Sequence, residues 1–162
     1  MCNRAMAKIW LLRRMKSLKL EPELILDYYV KEVRSLVEHG VPIWNSGLNQ
    51  SEVRDIEKIQ KVALKIILGQ NYNSYISACS HFGLQKLSVR RQEISTRFAL
   101  NLYKSERCNE FFIPANRNVN TRSDAPLLVE EKCNTRRCYN APHNYLTRLV
   151  NSNKERILRN RK

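Results

Sequence analysis

The stretch from Asn49 to Gly69 (NQSEVRDIEKIQKVALKIILG) constrains the fold more than any other part of this chain. Apolar residues recur there at helical spacing, with Val53, Ile56, Ile59, Ala63, Ile66 and Ile67 making one stripe. Asn49 is of a type that caps helix N-termini, and Glu52 three places on completes a capping-box pattern. Gly69 is the expected stop, because glycine enters the left-handed conformation that ends helices without steric cost. The spacing predicts a helix over 50–68. On the side away from the stripe, Arg54, Lys58, Lys61 and Lys65 fall at i, i+4, i+7 and i+11, within a narrow arc. Such a helix belongs in a helix-on-helix core.

The remaining pattern is helical as well. Pro22 suits a first helical position, and Ile25, Leu26, Tyr29, Val30, Val33, Leu36 and Val37 share a face over 22–38. Gly40 and Pro42 end that segment, and the connector after it places Trp44 among turn residues, where a buried plug between helices is expected. A short helix is predicted over 74–82, stopped by Gly83. Ser88 is the predicted cap of another, which runs to about Glu106 and buries Leu87, Ile94, Phe98 and Leu102. Periodicity fails from Cys108 to Pro142, so a loop is expected, with room for a hairpin of Leu127–Cys133 and Arg136–Asn140. Pro142 opens a final helix that docks through Leu146, Leu149, Val150 and Ile157, and the basic end from Arg156 to Lys162 is expected to fray.

Residues 1–20 carry six basic groups and no acid, and their apolar positions (Ala5, Met6, Ile9, Trp10, Leu11, Leu12, Met15) go right round the helix axis. A helix of that kind needs neighbours on several sides. The expected fold is all-α, an irregular bundle of about five helices with a loop- or hairpin-containing C-terminal extension. Its parts are an N-terminal helix (1–20), a helical domain (21–107), the loop region (108–141) and a C-terminal helix with a basic tail (142–162).

Charge points to a polyanion. Lys plus Arg is 29 and Asp plus Glu 15, so the net charge is 29 − 15 = +14. Nucleic acid is the first partner such an excess suggests, and an anionic membrane surface the second. Ile9 to Leu12 is the longest apolar run, so no segment spans a bilayer and no secretory core follows the start. An acid-free basic start also fits a mitochondrial transit peptide, although Ser is scarce in it. Five cysteines without a tight framework suit free thiols in a reducing intracellular compartment, nucleus or cytoplasm.

The same composition argues against chemistry. The three aspartates (27, 55 and 124) are far apart in sequence, whereas a two-metal nuclease or polymerase needs carboxylates converging on its cations. Four scattered glycines make no phosphate-cradling loop, and His39, His81 and His143 have no Ser or Cys beside them in a nucleophile arrangement. An enzyme is not expected, nor a cofactor or a small-molecule substrate.

Two readings compete at each cluster. The ridge of Arg54, Lys58, Lys61 and Lys65 can track a phosphate backbone, or it can be a solvated face with Glu57 and Lys61 as an i,i+4 pair. The flank of Arg90, Arg97 and Lys104, joined by Arg91, offers the same choice. Cys133, Cys138 and His143 are spaced C-x4-C-x4-H, and Cys108 offers a fourth soft ligand for zinc; the plainer reading is two thiols and a surface histidine. Tyr28, Tyr29, Phe98 and Tyr103 can stack bases or fill the core, and at helical spacing the core is the ordinary place.

The order of these pieces resembles a known region. SLVEHGVPIWNSGL, EVRDIEKIQKVALKIILG and SYISACSHFGLQKLSVRRQEISTRFALNLYK follow one another as in the segment after the polymerase core of reverse transcriptases of non-LTR retrotransposons, the jockey-like and related LINE elements. The shared anchors are Glu38 to Gly40, Pro42 to Trp44, Ile56 to Gly69, Ser74–Tyr75, Gly83 to Leu87 and Arg90–Arg91, within a likeness running from about Ile9 to Tyr103. RCYNAPHNYLTRLVN also resembles the family's terminal helix. The resemblance implies thumb-like and connecting helices of an RNA-directed DNA polymerase, gripping the RNA–DNA backbone without base readout. Arg54, Lys58, Lys61, Lys65, Arg90, Arg91 and Arg97 are the expected phosphate contacts. The paired palm aspartates and the endonuclease site of that family have no counterpart here, so the expectation is a fragment whose first helix packed on an absent polymerase core. Two alternatives stand beside it: a small helical protein-interaction module, and a remnant open reading frame without function.

Overall fold

The computed structural model describes residues 2–105, 110–115 and 126–159. Cys108 and the basic end past 159 lie outside the described residues. The fold is all-α. In chain order the helices are α1 (Cys2–Ser17), α2 (Pro22–Tyr28), a π-helical stretch (Tyr29–Arg34) running into α3 (Ser35–Glu38), and α4 (Val41–Trp44). Then come α5 (Gln50–Leu68), α6 (Tyr75–His81), α7 (Leu87–Lys104), α8 (Arg136–Tyr139), α9 (Pro142–Ser152) and α10 (Lys154–Arg159). With α2 to α3 counted as one rod, the described residues hold about nine helices, against the five expected. The surplus comes from pieces as short as the four residues of α4 and α8, in which a 3.6-residue period cannot show.

The chain divides into two compact units. One comprises Met1–Val41 and Leu48–Arg91, the other Pro42–Gly47 and Gln92–Lys162, so the division falls inside α7.

In the first unit α5 packs on α1, α2 and α6. Its buried face is Ile56, Ile59, Gln60, Ala63, Leu64 and Ile67, whereas Val53 and Ile66 are only partly covered. The rod buries Ile25, Tyr29, Val33 and Val37, each four residues from the last. In an α-helix each such step turns about 40° further round the axis, so three of them would carry Val37 off the buried face. The π-helical stretch uses wider i→i+5 turns and brings Val33 and Val37 back to it. α1 settles the question of its all-round apolar surface in two ways. Ala5, Ile9 and Leu12 are buried against this unit, while Met6, Trp10 and Leu11 stay exposed, Trp10 at 62%.

The second unit has its own core of Ala99, Phe112, Leu127, Leu128, Leu146, Leu149, Val150 and Ile157. The expected hairpin is absent from it. Thr135 caps α8 by accepting from the Cys138 amide at 3.2 Å, so residues 136–139 turn into helix rather than strand. The 127–128 segment pairs instead with Pro114, in a single antiparallel bridge, and its two amides donate to Asn151 Oδ1 at 3.0 Å each. Phe98, expected inside, is 43% exposed, and Ala99 takes the interior place beside it. Trp44 is partly buried rather than a sealed plug. The final helix is two, with α9 ending at Ser152 and α10 starting at Lys154.

Candidate functional site

The exposed edge of α5 depends on how firmly that helix is held. At its start the capping box is complete: Asn49 Oδ1 accepts from the Glu52 amide at 2.9 Å, and Glu52 Oε2 accepts from the Asn49 amide at 2.8 Å. At its end Gly69 has φ 58°, and Lys16 from α1 donates to the Ile67 carbonyl at 2.6 Å. A cation there satisfies an orphan carbonyl and meets the negative end of the helix dipole. The register of α5 is therefore fixed at both ends.

Between these ends a chain of polar groups runs through the unit. Tyr29 donates to Gln60 Oε1 at 2.9 Å, and Gln60 Nε2 donates to the Tyr75 hydroxyl at 3.0 Å and to the Gln85 carbonyl at 2.9 Å. Tyr75 in turn donates a short hydrogen bond to Glu57. The Glu57 carboxylate then accepts from the Leu87 and Ser88 amides, each at 3.1 Å. Those are the first two amides of α7, so Glu57 caps that helix from another element. The cap expected from Ser88 is thus supplied from outside, and the Glu57–Lys61 pair expected on α5 does not form. Burial pushes the Tyr29 phenol well above its ordinary value. Burial and then the bond to Glu57 do the same for Tyr75.

Freed from Glu57, the ridge stands in solvent. Arg54, Lys58, Lys61 and Lys65 are all exposed along α5, over about 16 Å at 1.5 Å per residue. Among the described residues Arg54, Lys58 and Lys65 form no salt bridge. Lys61 lies over the Tyr75 ring, 5.3 Å from its centre.

The other three expected contacts are placed differently. Arg90 Nε donates to Glu38 Oε1 at 2.7 Å and a terminal nitrogen to Oε2 at 3.3 Å, while Arg34 Nε meets the same carboxylate at 2.9 Å. Arg90 thus ties the start of α7 to α3. Arg91 is 3% exposed, which removes it from any surface phosphate contact; seven-residue spacing could not reveal that its neighbours close over it. Arg97 is exposed, but on the α7 segment of the second unit. The aromatic candidates divide likewise: Tyr29 is buried, Tyr103 packs edge-on against Phe112 with ring centres 6.2 Å apart, and Phe98 is exposed.

The zinc spacing does not assemble. His143 Nε2 is 2.7 Å from the Phe111 carbonyl and its Nδ1 is 3.3 Å from Asn144 Oδ1, so both ring nitrogens meet groups other than the two thiols. No group of three or more metal-ligating side chains occurs among the described residues. No helix of the described residues is long and apolar enough to cross a membrane.

Sequence reading missed the polar chain. Its one visible sign is Gln60, which falls on the helical wheel among Ile56, Ala63, Leu64 and Ile67 and interrupts an otherwise apolar face. Compared with protein-family models, with curated proteins and with solved structures, the chain finds no match.

Proposed function

We propose that the first unit is a nucleic-acid-backbone grip, with the exposed edge of α5 as its contact. The observation that carries this reading is a row of four exposed cations on a helix clamped at both ends, with Glu57, the i,i+4 neighbour of Lys61, turned inward to cap α7. Each phosphate neutralised by such a row releases a counterion, and binding follows without any base being read. The net charge of +14 and the resemblance to the post-polymerase region of non-LTR retrotransposon reverse transcriptases point the same way. On this reading the partner is an RNA–DNA duplex, held by its backbone.

The test is charge reversal at Lys58 and Lys65, with Lys61 left in place because it covers Tyr75. Affinity of K58E/K65E for a hybrid duplex falls at least tenfold while helical circular dichroism is unchanged; equal affinity with an intact fold overturns the reading. A second reading, docking on another protein, is favoured by one feature: Met6, Trp10 and Leu11 are apolar and exposed on α1. Trp10→Ala separates the two, since it leaves duplex binding by α5 as it was.

A further inference from the structure

The second unit contains two cysteines that neither its core nor the ridge accounts for. Cys133 Sγ and Cys138 Sγ are 3.0 Å apart, on either side of the Thr135 cap that starts α8. One buried amide holds them both. Asn144, 5% exposed at the start of α9, donates to Cys133 Sγ at 3.2 Å and to the Cys138 carbonyl at 3.0 Å, with Cys138 Sγ at 3.6 Å from the same nitrogen. Both cysteines are partly exposed, which leaves the pair open to a small reagent. His143, the third member of the spacing, bonds elsewhere and leaves a two-sulfur site.

We propose that Cys133 and Cys138 form a redox-active dithiol, which a small disulfide of the glutathione class closes to an intramolecular disulfide. One thiolate attacks a sulfur of the oxidant, forming a mixed disulfide and releasing one glutathione thiolate. The second cysteine, as its thiolate, attacks the protein sulfur of that mixed disulfide and displaces the other glutathione. Two protein thiols are oxidised, the oxidant is reduced to two thiols, and the two protons pass to the released thiolates. Closure shortens the sulfur separation from 3.0 Å to about 2.05 Å, a movement that side-chain rotation supplies. The Cys133 thiol is pushed above its ordinary value, first by the hydrogen bond with Cys138 and then by burial. Oxidation staples the segment before α8 to α8 itself, beside the start of α9.

The test uses the full chain, reduced and then equilibrated with buffers of reduced and oxidised glutathione. Remaining thiols are blocked by alkylation and the peptides mapped by mass. The expected result is a Cys133–Cys138 disulfide formed at glutathione ratios that leave Cys2 and Cys79 alkylated. Cys133→Ser and Cys138→Ser each then hold a glutathione adduct on the remaining sulfur, because the displacing thiol is gone. Separate adducts on both cysteines of the unaltered chain, or preferential pairing of either with Cys2, Cys79 or Cys108, overturns the proposal.

Discussion

The Tyr29 hydroxyl donates to Gln60 Oε1 at 2.9 Å with both side chains fully buried, which joins the π-helical stretch to the middle of α5 through one hydrogen bond. Removing either partner strands the other's buried polar group, whereas removing both leaves neither end of this bond stranded, and the Gln85 carbonyl then loses the same donor as in Gln60→Leu alone. Gln60→Leu should therefore cost about 1–3 kcal/mol, and the Tyr29→Phe, Gln60→Leu pair less than the sum of its singles by about 1 kcal/mol. A double-mutant cycle from urea unfolding measures this. Additive losses would show that the bond carries no coupling.

Glu57 answers the positive end of α7 from a neighbouring helix. Glu57→Ala leaves two amides and the Tyr75 hydroxyl without their acceptor, so stability should fall by about 2 kcal/mol. Glu57→Gln retains an oxygen and should cost about half as much. Hydrogen exchange at the Leu87 and Ser88 amides locates the effect, since protection there should drop in both variants, more in the alanine one. Unchanged protection would mean that α7 does not depend on this cap.

Alkali tests the interior. Tyr29 is held above its ordinary value of about 10 by burial, so its neutral form is favoured in the folded state. Its contribution to stability is complete below about pH 10 and is lost as pH rises from there towards the folded value. Unfolding free energy should fall by about 1.4 kcal/mol per pH unit above pH 10 through this group. Tyr29→Phe should be less stable at neutral pH and should lose one proton's worth of that slope. An identical alkaline slope in Tyr29→Phe would place the ionisation elsewhere.

Elements of about two turns or more were legible in the sequence, from the period that burial imposes or from their capping residues. α5 and its caps stand where Asn49, Glu52 and Gly69 place them, and α6 begins with Ser74 accepting from the Ser77 amide at 3.1 Å. The π-helical stretch was not legible, since a run of apolar residues four apart fits an ordinary helix until the accumulated drift is worked out. The short helices carried no period, and α8 turned on a single cap at Thr135. Side-chain destinations across elements were the least legible part. Nothing local distinguishes the inward Arg91 from the paired Arg90 or the exposed Arg97, because the distinction lies in what the fold brings against each.

Several anchors of the resemblance have a structural duty of their own. Glu38 receives Arg90 and Arg34, Gly40 and Gly83 have φ 66° and 61°, and Gln60, Tyr75 and Glu57 make the polar chain. These residues specify how the first unit packs. On the ridge of α5, Arg54, Lys58 and Lys65 have no such packing duty among the described residues, and the proposed backbone contact lies along that edge.

The most direct measurement is the dissociation constant of the full chain for an RNA–DNA hybrid duplex as a function of salt. If all four ridge cations meet phosphates, the logarithm of the association constant falls with the logarithm of salt at a slope of about −3.6, roughly a hundredfold loss between about 50 and 200 mM. K58E/K65E removes two of those contacts and should flatten the slope by about half. A slope near zero in the folded chain, or one that the double variant leaves unaltered, contradicts the assignment of this edge as a backbone grip.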